Sequence, residues 1–257
     1  MTVLGVDVGG TFTDTVLVER GTEVVLAKSP TRPDDPAQGV VESVAQAADR
    51  IGSDVEAVLE ETERFFHGTT IATNLLLERD GATVGLLTTK GHEDAQRIGR
   101  ITTRHAGLSV GALKEYVEHE KSPPFASREH TYGVEERVDR DGDVVVDLAE
   151  EDLRRGVSQL IDRGVEAIAI NFLWGFRNPS HERRAADLVE REYGLPVFTS
   201  TSIAPRIGEY ERGATTCVAA FVADRLSSYL GTLDRELSER GLSEPILVMQ
   251  NNGGVIP

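Results

Sequence analysis

The sequence has a single cysteine, Cys217, in its 257 residues, which excludes an intramolecular disulfide and a thiolate metal cluster. Cys217 lies in the apolar run Thr215-Thr216-Cys217-Val218-Ala219-Ala220-Phe221 and reads as a small buried hydrophobe rather than a nucleophile. No apolar run reaches the ~18 residues of a membrane-spanning helix. The N-terminus lacks both a basic region and a cleavable apolar segment, so a cytoplasmic location is expected. Lysine is scarce, with four against 23 arginines. The six histidines, His67, His92, His105, His119, His130 and His181, contain no His-x-x-x-His pair, which leaves out a metalloprotease pattern. The Gly-x-x-x-x-Gly-Lys-Ser/Thr phosphate loop is missing as well.

What the chain has in quantity is acid: 43 acidic against 27 basic side chains, for a formal charge of -16. Such a surface repels nucleic acid and anionic membrane. Its lysine-poor character is that of salt-adapted archaeal proteins, with an ordinary acidic protein as the alternative. With 39% apolar and 27% charged residues, the composition is that of a folded chain long enough for one large core or two smaller ones. A two-lobed α/β protein is expected.

The first strand is predicted over residues 3–8, breaking at Gly9-Gly10 and resuming as a second strand over 13–18. A third follows over 23–28 after the Arg20-Gly21 turn. This antiparallel meander is not how a dinucleotide-binding βαβ unit begins. Apolar spacing predicts a helix over 37–51, with a short strand at 64–66 and a helix over 71–78 after it. A strand over 83–88 precedes a helix over 93–99. Residues 100–128 read as a peripheral excursion with one short helix at 110–119. Strands at 132–139 and 144–147 flank Asp141-Gly142, a hairpin signal. Helix, strand, helix and strand then follow at 150–163, 166–174, 180–193 and 196–200, an order that implies parallel pairing. Residues 209–240 read as one helix of about 45 Å, which Gly231 could break or which could bridge two lobes. A last strand at 246–250 leads to a second Gly-Gly turn at Gly253-Gly254 and has no successor to complete its layer, so the chain reads as truncated.

Two stretches look able to carry chemistry. In Asp7-Val8-Gly9-Gly10-Thr11-Phe12-Thr13-Asp14, adjacent glycines let backbone amides approach an anion, Thr11 and Thr13 add hydroxyls, and Asp7 can hold a hydrated divalent cation. In His67-Gly68-Thr69-Thr70-Ile71-Ala72-Thr73-Asn74, a strand enters a helix N-terminus whose free amides favour an anion or polarised carbonyl. His67 there is either an acid or base or a satisfied structural residue; Thr69 or Thr70 either meets substrate or only caps the helix. Glu209-Tyr210-Glu211-Arg212 offers an interlobe salt-bridge network or, at Arg212, a substrate contact.

These two stretches, together with Leu87-Thr88-Thr89-Lys90-Gly91, Phe172-Leu173-Trp174, Asn178-Pro179, Glu209-Tyr210-Glu211-Arg212 and Val248-Met249-Gln250-Asn251-Asn252-Gly253-Gly254, closely resemble the N-terminal half of the hydantoinase A/oxoprolinase family. The resemblance spans essentially the whole chain. It implies an α/β fold of the ribonuclease H-like, actin-like ATPase class, with mixed sheets and flanking helices, and a family-domain boundary near residue 200: an N-terminal domain over 1–200 and the start of a second over 201–257. It implies ATP and Mg2+ as cofactors, with Gly9, Gly10, Thr11, Thr13 and Asp14 as the first phosphate loop and Asp7 holding the metal through water. His67 would be catalytic with Asp7, and Thr69, Thr70, Asn74 and Arg212 would face substrate.

By the same resemblance, the activity is ATP-dependent opening of a small cyclic amide. The alternative is an ATP-dependent ketone carboxylase subunit, towards which Arg104-His105-Ala106-Gly107-Leu108-Ser109 and Lys121-Ser122-Pro123-Pro124 incline. A sugar or acyl kinase and a non-catalytic nucleotide-binding module are the rivals from other classes. A hydantoinase B-like subunit is the implied partner, and a homo-oligomer is compatible with it. The family's second phosphate loop, of the type Asp-Met-Gly-Gly-Thr-Ser-Thr-Asp, has no counterpart in this sequence, so the chain alone is expected to be inactive.

Overall fold

In the first strand, Leu4, Val6 and Val8 alternate with Val3, Gly5 and Asp7, which buries one face and leaves the other open. A computed structural model describes residues 2–19, 24–32, 34–100, 107–115 and 122–257. The Arg20-Gly21 turn, the beginning of the third predicted strand at Glu23, residues 104–106, Lys121 and the end of the helix expected over 110–119 lie outside the described residues. Packing divides the chain into two units, Met1–Asp80 with Asp224–Pro257, and Gly81–Ala223. The units interleave in sequence, a division distinct from the family-domain boundary expected near residue 200.

In the first unit, β1 (Thr2–Val8) pairs antiparallel with β2 (Phe12–Glu19), and β2 with β3 (Val25–Pro30), as the meander predicted. On its other side β1 runs parallel to β4 (Thr62–Thr69). Strand β11 (Ile246–Met249) pairs parallel with β4 and antiparallel with β12 (Val255–Ile256). The late strand expected to lack a layer therefore completes one, because β4 offers it a free edge. The order β12-β11-β4-β1-β2-β3 contains the 3-2-1-4-5 arrangement of a ribonuclease H-like lobe, with β11 as its fifth strand.

Helix α1 (Pro36–Arg50) covers the inner face of this sheet. Asp35 caps it by accepting from the Gln38 amide at 3.1 Å, and Pro36 opens its first turn. Its Val40, Val44, Ala47 and Ala48 join Leu4, Val6, Leu17 and Phe65 in one core, with Leu233 and Leu237. Burial of each valine contributes about 1.5–3 kcal/mol. A short helix that the sequence reading missed, α2 (Val55–Glu60), is capped by Asp54. Helix α3 (Ile71–Glu78) matches its prediction and stops at Arg79, whose φ is 58°.

The second unit is built on four parallel strands in the order β10-β9-β5-β6: β5 (Val84–Thr89), β6 (Thr131–Val134), β9 (Ala167–Asn171) and β10 (Val197–Thr199). Every residue of β9 is buried, as a strand covered on both faces requires. Between them lie α4 (Ala95–Ile98), the hairpin strands β7 (Arg137–Val138) and β8 (Val144–Val146), and the helices α5 (Glu150–Ile161), α6 (Ser180–Tyr193) and α7 (Ser200–Ile203). Among its described residues the peripheral stretch has a 3-10 turn at Ala112–Lys114.

The strand predicted over 132–139 is divided between two sheets. Glu136 interrupts it by turning inward to His181 Nδ1, 2.8 Å away, and to the Thr89 hydroxyl. Gly142 takes φ 96° at the hairpin turn, where the Asp139 carboxylate accepts from the Asp141, Gly142 and Asp143 amides. Finally, α8 (Glu209–Ser238) runs unbroken through Gly231 and contributes its two ends to different units.

Candidate functional site

The turn between β1 and β2 is closed by the Gly9 amide donating to the Phe12 carbonyl at 3.0 Å. Gly10 and Thr11 are exposed at its tip, and neither amide has a hydrogen-bond partner among the described residues. The start of α3 adjoins the turn: the Thr70 amide donates to the Val8 carbonyl at 3.1 Å, and the Thr69 hydroxyl accepts from the Ile71 amide at 3.1 Å. Asn74 lies one turn into α3, with Nδ2 only 3.7 Å from where a Cβ on Gly10 would stand. A Cβ at position 10 would make ordinary van der Waals contact with this side-chain amide.

Asp7 points to the open face of the sheet and makes no hydrogen bond or ion pair among the described residues. Its register partner on β4 is Gly68, where a Cβ would stand 2.8 Å from Asp7 Oδ1. Glycine at 68 is therefore what gives the carboxylate its space. The register partner on β2 is Asp14, but Lys28 Nζ binds both oxygens of Asp14, at 2.8 and 3.0 Å. Asp14 is engaged along the sheet, which corrects its expected place in the anion loop.

Three further expectations give way to burial. Thr13 falls on the inner phase of β2 and is fully buried, its hydroxyl 3.2 Å from the Thr31 hydroxyl, so it cannot meet a ligand at the turn. His67 shares the inner phase of β4 with Phe65, and its Nε2 lies 2.9 Å from the Tyr229 hydroxyl. It is a core residue paired through Nε2 alone, its buried Nδ1 being without a partner among the described residues, and it lies off the open face of the sheet. Arg212 is also fully buried: Nε donates to Ser200 Oγ and Asn171 Oδ1 at 2.8 and 3.1 Å, and Nη2 to the Phe172 carbonyl at 2.7 Å. It fastens the start of α8 to the end of β9 inside the second unit. Cys217 is buried too, and burial pushes its thiol up to about 12, as expected of an inert side chain.

Burial holds the His67 imidazole down to about 4 from its ordinary value near 6.5. The unfolded chain therefore binds a proton that the folded chain refuses between those values, and stability should fall as pH drops from about 6.5 to about 4, by up to about 3 kcal/mol. Urea unfolding at pH 7 and pH 4.5 tests this. His67→Gln should flatten the dependence, and an unchanged dependence in that variant would contradict the assignment.

Two free amides, the Thr11 hydroxyl, the Asn74 side chain and a helix N-terminus are donors of the kind that suit a polyanion. The Asp7 carboxylate, unpaired among the described residues, is the acidic group that could hold a cation beside them. Among the described residues no group of three or more His, Cys, Asp or Glu side chains could hold a metal. A cation here would take its other ligands from water and from the anion, the manner in which Mg2+ binds.

Comparison with known proteins identifies the family and the fold. Residues 3–193 match the family model described as the hydantoinase/oxoprolinase N-terminal region. The acetophenone carboxylase gamma subunit of Aromatoleum aromaticum is 38% identical over 257 residues, covering 98% of this chain and 35% of its own. The nucleotide-free structure of acetone carboxylase superposes with a TM-score of 0.92 at 31% identity, over 100% of this chain and 37% of that one. The ATP-dependent caprolactamase of Pseudomonas jessenii superposes with a TM-score of 0.87 at 32% identity, over 99% and 36%. The chain thus spans little more than a third of the length of the curated relatives it matches.

Proposed function

Because the chain belongs to the hydantoinase/oxoprolinase family, as its N-terminal region, we propose that it is the N-terminal part of a longer ATP-dependent enzyme that opens a small cyclic amide. The observation that carries this reading is the juxtaposition of unbonded amides at Gly10 and Thr11 with the unpaired carboxylate of Asp7. When bound, Mg-ATP would supply a phosphoryl group to the amide oxygen, with ADP as the leaving group, making the ring carbon electrophilic enough for water to add and the C–N bond to break, with phosphate released. The amides of Gly10 and Thr11 hold phosphate oxygens, with Gly9 closing the turn that presents them, and Asp7 holds the cation through water. Thr70, the N-cap residue of α3, and Asn74 face the transferred group and the substrate, while the Thr69 hydroxyl accepts from the Ile71 amide. Positioning and fixed dipoles, rather than a protein nucleophile, then lower the barrier. The 257 residues alone lack the family's second phosphate loop and are inactive on this reading.

A second reading is an ATP-dependent ketone carboxylase, favoured by the 38% identity to the acetophenone carboxylase gamma subunit. The same groups would then serve phosphorylation of an enolate oxygen or of bicarbonate. Both readings involve a hydantoinase B-like partner subunit. They separate when the full-length protein and its partner are incubated with Mg-ATP and candidate lactams, hydantoins, ketones and bicarbonate. ADP release that requires a cyclic amide alone is the expected result. Release that requires both a ketone and bicarbonate selects the carboxylase, and a stable phosphorylated product would overturn both in favour of a kinase.

A further inference from the structure

Thr31, which follows β3, makes two contacts with the glycine turn and one with β2. Its hydroxyl donates to the Gly9 carbonyl at 2.8 Å. Its amide donates to the Thr11 carbonyl at 2.9 Å. Its Oγ1 also lies 3.2 Å from the buried Thr13 hydroxyl, which ties the anchor to the inner face of β2.

A trans peptide is planar, so its carbonyl and its amide point in opposite directions. Drawing the Gly9 carbonyl toward Thr31 therefore turns the Gly10 amide away from β3. The bond to the Thr11 carbonyl does the same for the Phe12 amide. Two adjacent glycines would otherwise leave this turn with many backbone states, since glycine has little steric preference of its own. Beyond it, Asp35 caps α1, and Arg32 Nη2 pairs with Glu42 at 2.7 Å.

We propose that Thr31 is a positioning residue that holds the Gly9–Thr11 turn in its anion-binding conformation. This rests on the phosphate-loop reading above, and it adds a residue from outside both sequence motifs. Thr31→Val removes the hydroxyl and keeps the side-chain volume and the backbone amide; Thr31→Ser restores the hydroxyl.

Two measurements test it. In the 257-residue chain, the Gly10 amide is followed by NMR without nucleotide. Its chemical shift and hydrogen exchange should change in Thr31→Val and return to the wild-type values in Thr31→Ser. In the full-length protein, Mg-ATP affinity should fall about tenfold in Thr31→Val, as loss of one preorganising hydrogen bond implies, and recover in Thr31→Ser. A Gly10 amide unmoved by Thr31→Val, or a serine variant as impaired as the valine one, would overturn the proposal. If wild type binds no Mg-ATP, the phosphate reading fails, and the Gly10 amide still decides whether Thr31 positions the turn.

Discussion

Asp7→Asn should lower ATP turnover by the full-length protein about 10²–10³-fold and leave the unfolding midpoint nearly unchanged. The carboxylate is exposed and unpaired among the described residues, so removing its charge breaks no contact in the fold. What is lost is the negative charge that would hold a hydrated cation against the phosphates. Gly68→Ala should move activity in the same direction without touching Asp7 chemically, because the new Cβ would stand 2.8 Å from Oδ1 and displace the carboxylate. Steady-state ADP release with saturating substrate measures both. Turnover of Asp7→Asn within about threefold of wild type would remove Asp7 from the site.

Arg212→Ala should have the largest effect on stability, about 3–5 kcal/mol, because it removes a buried charge and strands its partners. The Ser200 hydroxyl that accepts from Arg212 Nε also donates to the buried Glu182 carboxylate at 2.6 Å. Glu182 in turn accepts from the Phe172 and Thr201 amides. Burial raises the pKa of this carboxyl, and the hydrogen bonds from Ser200, Phe172 and Thr201 oppose that rise. For a chain of this size the loss corresponds to a fall of about 10 °C in the unfolding midpoint. Calorimetry checks it; a change below about 1 kcal/mol would mean that water replaces the guanidinium without cost.

Much of this architecture was legible because hydrophobic period and turn chemistry agree locally. The opening meander, α1, α3 and the alternating helices and strands of the second unit all follow from patterns within a few residues of each element. The failures share a cause, which is that a motif records neighbours along the chain and not the face each side chain takes. Thr13 is only two residues from Thr11, yet Thr11 lies in the turn whereas Thr13 lies in β2, whose alternation sends it inward with Thr15 and Leu17. His67 adjoins a functional glycine but shares its phase with Phe65; reading the period of β4 rather than its composition would have placed it in the core. Arg212 required tertiary knowledge, since its acceptors on β9 lie some 40 residues earlier. Thr31 carried no signal of its own, because nothing local says that the end of β3 returns to the glycine turn.

The central claim is that the bend joining β1 and β2 grips the phosphates of a nucleotide. The most direct test is a crystal structure of the full-length subunit with Mg2+ and a non-hydrolysable ATP analogue. The account predicts phosphate oxygens at hydrogen-bonding distance, about 2.7–3.2 Å, from the Gly10 amide nitrogen, with the cation reached by Asp7 through water. Phosphates bound elsewhere in that structure, with the Gly10 amide left to solvent, would contradict it.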